Sequence, residues 1–373
     1  MSEPPGQCGF AFGTVVNNPD RLTSCSDTVW TLFTYVVDIF GNVTITGVLS
    51  FDDEQWTTYS TGAGNWDHGM QITAAGGQGD LAAGTTLDVS STCDLASSAC
   101  IAFSNTIPDP QSVAFVSGGP AEPFDWAEFD TGASASVPGQ TNTLDATLGA
   151  SIVANTPGYP PAAFTDSGSG LAGRCDSIVT SSDGCVNEQS IPTMNLSISV
   201  YGASAAMIQW AQENLSGHWG LQGQGQPLHR LFNSILQGDN RTIICQDGSF
   251  TADQNITNAL TPYKDNDSCD EFPFASTYES GAMVDDVNSN QKPFVTTGAD
   301  CAQVTAVHTG TSGNNEAADW ATTTVNGTPT LTEPCVRGHI PQALNSLVGT
   351  AYSTTITTNH LIDKDAFWLS VSP

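Results

Sequence analysis

A chain of 373 residues that is 39% hydrophobic and 12% charged has enough apolar sequence for two cored domains, which excludes coiled coil and intrinsic disorder. Its net charge of −30 reflects a shortage of bases, 8 Lys+Arg against 38 Asp+Glu. That balance excludes the broad basic face a sequence-specific nucleic-acid binder needs, and its acid count is too ordinary for a halophile surface.

Residues from about 10 to 155 read as short strands and turns. "GNVTITGVLSF" alternates around Val43, Ile45 and Val48, and Gly, Pro and Asp punctuate the later runs. The expectation for 1–155 is an all-β antiparallel sandwich, followed by a linker over 156–173, "TPGYPPAAFTDSGSGLAG". The texture then changes. "YGASAAMIQWAQENLSG" carries Ala205, Ile208, Trp210 and Ala211 at helical spacing and ends near Gly217. "PLHRLFNSILQG" reads as a second helix stopped by Gly238, "IPQALNSLVGTAYS" as a third, and "DAFWLSVSP" as a closing strand. Residues 174–373 are therefore expected to form an α+β domain. The most apolar run, "VWTLFTYVVDIF", is short and contains Asp38, so no membrane span is expected.

Ten cysteines without a CxxC pair point to five disulfides in an oxidising compartment rather than to zinc. Cys93–Cys100 and Cys175–Cys185 are the short loops to pair first. Seven Asn-x-Ser/Thr sequons, at Asn42, Asn195, Asn214, Asn240, Asn255, Asn266 and Asn326, fit a secreted, extracellular glycoprotein. The start, "MSEPPGQCGF", reads as a mature terminus behind an added Met. Bases divide unevenly: residues 1–170 hold only Arg21, and residues 171–373 hold seven. An anion would therefore bind in the second half.

Two stretches imitate known chemistry. "FDTGASAS" and "TDSGSG" look like the paired loops of a pepsin-like protease, but Asp130 and Asp166 are too close in sequence for two lobes. No G-x-S-x-G elbow supports a serine hydrolase, and His68 in "WDHGM" reads as structural. The stretch "SCDEFPFASTYESG", 268–281, is different: Asp270, Glu271 and Glu279 surround an aromatic-proline turn beside Cys269. Asp270 and Glu279, joined across Pro273, could face one cavity and hold Mg²⁺, Mn²⁺ or Ca²⁺, which take hard oxygen ligands plus water. A solvated acidic turn beside a disulfide is the plainer reading of the same residues. On a strand, Asp270 and Glu271 would point oppositely.

Asp270, Glu271, Phe272, Pro273, Ala275, Glu279 and Gly281 also match an Asp-Glu-aromatic-Pro-x-Ala block followed by Glu-x-Gly. This block resembles the signature of the secreted NucA/NucB deoxyribonucleases, in their long two-domain form. "GRCDS…GCV" (173–186), "PLHRLFNSILQGDNR" (227–241), "IPQALNSLVG" (340–349) and "DAFWLSV" are similar to further blocks of that family, in family order. The "WDH" of the first half resembles another.

The resemblance implies a nuclease domain over 174–373 performing divalent-metal-dependent, non-sequence-specific DNA hydrolysis, in a monomer. By motif position it implies Asp270 and Glu279 as metal ligands, with Asp270, Glu271, Glu279, His229 and Asn345 as catalytic residues. Arg230, Arg241 and Arg337 are the candidates for holding phosphate. Two departures stand out. Met207 occupies the place where the family has a helix His, with His218 as a substitute imidazole. Residues 282–338 read as an insertion tied by Cys301 and Cys335. The runner-up expectation is a catalytically weakened member acting as a surface-binding glycoprotein, and the ligand of the first half is left open.

Overall fold

The structure, a computed structural model, describes residues 15–17, 20–62, 65–81, 84–95, 101–104, 111–114, 126–130, 144–166, 172–179, 184–253, 265–309 and 317–373. The chain divides into two compact units, Met1–Ser190 and Ile191–Pro373. It is a mixed α+β protein: among the described residues, the first unit has antiparallel sheets and the second has mixed sheets packed with three helices.

In the first unit, β1 (Val15–Asn17), β2 (Thr23–Val37), β3 (Val43–Tyr59), β4 (Asn65–Gly79), β8 (Trp126–Asp130) and β6 (Ile101–Ser104) form one antiparallel sheet in that order. The second sheet runs β12 (Gly184–Asn187), β11 (Ala172–Asp176), β9 (Leu144–Asn155), β5 (Thr86–Leu95) and β7 (Gln111–Ala114). A further strand, β10 (Ala162–Asp166), pairs with β9. Leu49 and Phe51 of β3 share one buried cluster with Leu87 of β5 and Ile152 of β9, so the two sheets contribute to a common core. The alternation of apolar and polar residues supplies that inward face. The expected linker is corrected here. Ala162–Asp166 and Ala172–Asp176 are paired strands of the second sheet, and the division between units falls at Ser190. Pro and Gly in 156–161 mark a turn between two adjacent strands rather than a spacer. The Cys175–Cys185 disulfide forms across β11 and β12, whereas Cys100 lies outside the described residues.

The second unit holds two sheets. β19 (Ala366–Ser372) lies between β13 (Thr193–Ser197), parallel to it, and β14 (Leu228–His229), antiparallel. The other sheet has the order β15 (Asp267–Phe272), β18 (Val336–Pro341), β16 (Ala302–Val307), β17 (Thr322–Asn326), with β16 and β18 parallel. The helices are α1 (Ile198–Asn214), α2 (Ser234–Cys245) and α3 (Gln342–Thr358). Ala203, Ala205, Met207, Ile208 and Ala211 of α1 sit in the main core with Phe272, Val304, Ile340 and Leu369. Small alanines let this helix approach both sheets closely. Gly202 interrupts α1 with φ 51°, and a Cβ there would meet Leu344 Cδ1 at 2.7 Å.

Two expectations change here. The second helix starts seven residues later than the apolar spacing suggests. Leu228 and Leu231 are buried beside β19 and around the start of the helix, and the Asn233 side chain caps it by accepting from the Ile235 and Leu236 amides. Gly238 does not stop it; a residue costing about 1 kcal/mol against Ala is tolerated within a capped helix. The 282–338 segment is not an appended excursion either. It supplies β16, β17 and the first residues of β18, and buries Ala302, Val304 and Ala306 in the core. Its Cys301–Cys335 disulfide forms as expected.

Of the sequons, Asn42, Asn195, Asn214, Asn266 and Asn326 are exposed, whereas Asn255 lies outside the described residues. Asn240 is buried, with its amide donating to Ala275 O at 2.8 Å. Peptide mapping of protein from a glycosylating host is therefore expected to find Asn240 unmodified; a glycan there would contradict the placement of α2.

Candidate functional site

Among the described residues β15 is the edge strand of its sheet, and Ser268–Glu271 on it line a cavity of about 770 Å³. α2 contributes Gln237, Arg241 and Gln246, and one face of α3 contributes Asn345, Val348 and Tyr352. Asp270, Glu271 and Arg230 complete the charged lining. Strand alternation sends Asp270 and Glu271 to opposite faces, but an edge position lets both border the same space. Asp270 turns toward α1, where its Oδ2 accepts from Ser204 Oγ at 2.8 Å; its Oδ1 accepts from the Glu271 amide at 3.0 Å. Glu271 turns toward α2, with Oε1 3.7 Å from Arg241 Nε and Oε2 3.3 Å from Cys245 Sγ. The Cys245–Cys269 disulfide staples the end of α2 to β15 one residue before Asp270.

Both carboxyls are buried. Burial pushes Asp270 up to about 6, against the opposing pull of Ser204, the Glu271 amide and Arg241. Burial and then the Asp270 charge push Glu271 up to about 7, with Arg241 and the Ala275 amide pulling the other way. Asn345 donates through Nδ2 to Cys269 O at 2.8 Å and to Ser268 Oγ at 3.3 Å. Arg241 is largely solvent-exposed along its side chain, so its guanidinium can follow a ligand into the cavity. Arg230 stands over Phe232 at 5.0 Å and donates to Leu361 O.

The donor set fits a hard divalent cation. Asp270 and Glu271 are buried carboxyls that border one cavity, and Asn345 adds an amide from α3. Cys245 and Cys269 lie beside Glu271, but their sulfurs are bonded to each other and offer no thiolate.

Three expected site residues do not join the cavity lining. Glu279 points its carboxylate at His229, accepting the backbone amide at 2.7 Å and facing Nδ1 at 2.8 Å. The expected pairing of Asp270 with Glu279 is therefore not seen: Glu271, not Glu279, lines the cavity with Asp270, because the turn after Pro273 carries Glu279 away from the strand. His229, on β14, is held by that contact outside the lining. Arg337 is buried on β18, spending its guanidinium on Gln303 Oε1 at 3.0 Å, Ile244 O at 3.0 Å and Ser249 Oγ at 2.7 Å, with Asp247 3.9 Å away. Arg337→Ala is expected to cost about 2 kcal/mol of stability through these stranded acceptors, read as a lower urea midpoint. Unchanged stability would return Arg337 to the list of free phosphate ligands.

Met207 is fully buried, and its Sδ packs where a Cβ on Gly338, the residue opposite Asp270, would lie. His218 donates through Nδ1 to Gln212 O and does not line the cavity. Ser204 escaped the sequence reading. Its signal was a hydroxyl inside the alanine stripe "GASAAM", where an apolar residue would otherwise sit.

No family model matches the chain, and neither a curated protein nor a solved structure matches it. A functional assignment thus rests on the chemistry of the cavity and on the sequence motif.

Proposed function

We propose that the second unit is a secreted, divalent-metal-dependent endonuclease that hydrolyses DNA phosphodiester bonds without sequence preference. One observation carries this: Asp270 and Glu271 share a single cavity with Arg230, Arg241 and Asn345. Carboxylate oxygens for a cation and guanidinium forks for a phosphate are the two halves of such a site. When bound, the cation polarises a phosphoryl oxygen and lowers the pKa of attacking water. Asp270, Glu271 and Asn345 would hold it. Arg241, on its flexible stem, and Arg230 hold the non-bridging oxygens. Glu279 orients His229 outside the lining, so the leaving oxygen takes its proton from solvent entering the cavity. Two guanidiniums in a chain of net charge −30 give modest, salt-sensitive DNA affinity, as suits a scavenging hydrolase. For the first unit we propose a sandwich of its two sheets, braced by the shared Leu49–Phe51–Leu87–Ile152 cluster. Disulfides among the described residues support an oxidising, extracellular setting.

A second reading, a weakened family member that binds rather than cuts, draws on Met207, a thioether packed behind Asp270 where the resemblance places an imidazole. Supercoiled plasmid incubated with the purified chain separates the two. Nicking with Mn²⁺ or Mg²⁺, abolished by EDTA, is the expected result. Intact plasmid with every metal between pH 5 and pH 9 would leave the binding protein.

A further inference from the structure

Among the described residues, the β2–β3 ribbon runs past the rest of its sheet. β4 last pairs with β3 at Gly47–Gly79, whereas β2 and β3 stay paired through Tyr35–Ile45, Val36–Thr44 and Val37–Val43. Among the described residues, this two-stranded extension with its turn adds roughly 15 Å at about 3.3 Å per residue. Tyr35, Val37, Val43 and Ile45 share one face and are each more than half exposed, while Ile39 and Phe40 at the tip are 93% and 84% exposed. A contiguous apolar surface of this kind is uncommon on a protein facing only water.

The tip is also closed by its own hydrogen bonds around a single carboxylate. Its one charged residue, Asp38, spends Oδ1 on the Phe40 and Asn42 amides at 2.8 and 2.9 Å and Oδ2 on Asn42 Nδ2 at 2.7 Å. The Asp38 and Gly41 amides close the turn on Asn42 O and Asp38 O, each at 3.0 Å. The turn thus satisfies most of its own polar groups while holding two large apolar side chains outward.

We propose that this ribbon tip is a shallow anchor that seats the first unit on a zwitterionic lipid surface. A fluid apolar layer covers both the face and the end of a convex ribbon at once. A second copy pairing along one ribbon edge would leave Ile39 and Phe40 uncovered, and a few residues of strand fall short of the roughly 800 Å² per partner of a stable interface. Anionic lipid adds nothing, because Arg21 is the only base in the first 170 residues of a chain of charge −30. The outer-edge backbone groups of the ribbon need hydrogen-bonding partners, so insertion stops at the headgroup boundary. The stretch from the Tyr35–Ile45 pair to the tip, about 10 Å, matches the ~5–10 Å depth of interfacial elements, with the Tyr35 hydroxyl at headgroup level.

Flotation of the full chain, produced without N-glycans, on phosphatidylcholine vesicles tests this. The wild type is expected to float, and the double variant Ile39→Asp/Phe40→Asp to lose at least about tenfold in bound fraction with an unchanged melting temperature. Replacing about a third of the lipid with phosphatidylserine is expected to give no gain. Failure of the wild type to float at millimolar lipid, or equal flotation of the variant, overturns the proposal. So does a concentration-dependent oligomer, lost in the variant, without flotation; that result assigns the tip to a second copy.

Discussion

Asp270→Asn is expected to lower metal-dependent plasmid cleavage by about 10³-fold or more, the scale on which an essential acid–base or cation-holding group acts. The substitution keeps the shape of the side chain and leaves an acceptor for Ser204 Oγ, now 2.8 Å from Oδ2. It removes the charge, and with it the acceptance of the Glu271 amide by Oδ1, since an NH2 group cannot accept. Because burial raises the Asp270 pKa, the ionised form is the one the fold disfavours. The neutral amide should therefore raise the melting temperature of the metal-free protein at pH 8 while activity falls. Those opposite movements distinguish a functional carboxylate from a structural one, whose loss would lower both. Cleavage within a few-fold of wild type, at matched metal concentration, would remove Asp270 from the site. The matching Glu279→Gln variant is expected to keep most of its activity, since that carboxylate serves His229 outside the cavity.

What the sequence discloses about this site depends on how local the determining physics is. The start of α3 and the closing strand follow apolar spacing that tertiary packing also uses, and both form near their expected positions, while α3 runs on to Thr358. Cys175–Cys185 was legible because a ten-residue separation leaves little choice. The second helix was not, because Leu228 and Leu231 have helical spacing yet serve β14 and the residues after it, and only the Asn233 cap reveals the true start. Strand alternation points Asp270 and Glu271 oppositely, so that both need not serve. What overrides it is the edge position of β15, a property of sheet order that no window of sequence contains. The same applies to Glu279 and Arg337. Their residue types suit catalysis, but their roles are fixed by partners 50 residues away in one case and up to 93 in the other. Likewise, β16 looks like part of an insertion until its alternating buried residues, Ala302, Val304 and Ala306, are placed in the same core as α1.

Stability of the metal-free protein is expected to fall as pH rises from 4 to 8, with Glu271 the main cause. A carboxyl whose folded pKa lies above its unfolded value binds its proton more tightly when folded. Its contribution is therefore complete below the unfolded pKa and disappears as pH passes the folded one. For Glu271 that window runs from 4.5 to about 7, and for Asp270 from 3.8 to about 6. At 1.36 kcal/mol per pKa unit, each group costs about 3 kcal/mol at pH 8; the pair costs less than double, because their repulsion is counted once. Glu271→Gln should then equal the wild type at pH 4 and exceed it by about 3 kcal/mol at pH 8. For a unit of this size that is roughly 6–12 °C in melting temperature. Comparing the two proteins cancels the general repulsion of a chain of charge −30, which also grows with pH. Adding Mn²⁺ at pH 8 is expected to stabilise the wild type and to narrow the gap, since a cation ligand must give up its proton to bind. Parallel pH profiles for wild type and variant would mean that water reaches Glu271 freely, and the buried carboxylate pair on the edge of β15 would lose its claim to a cation.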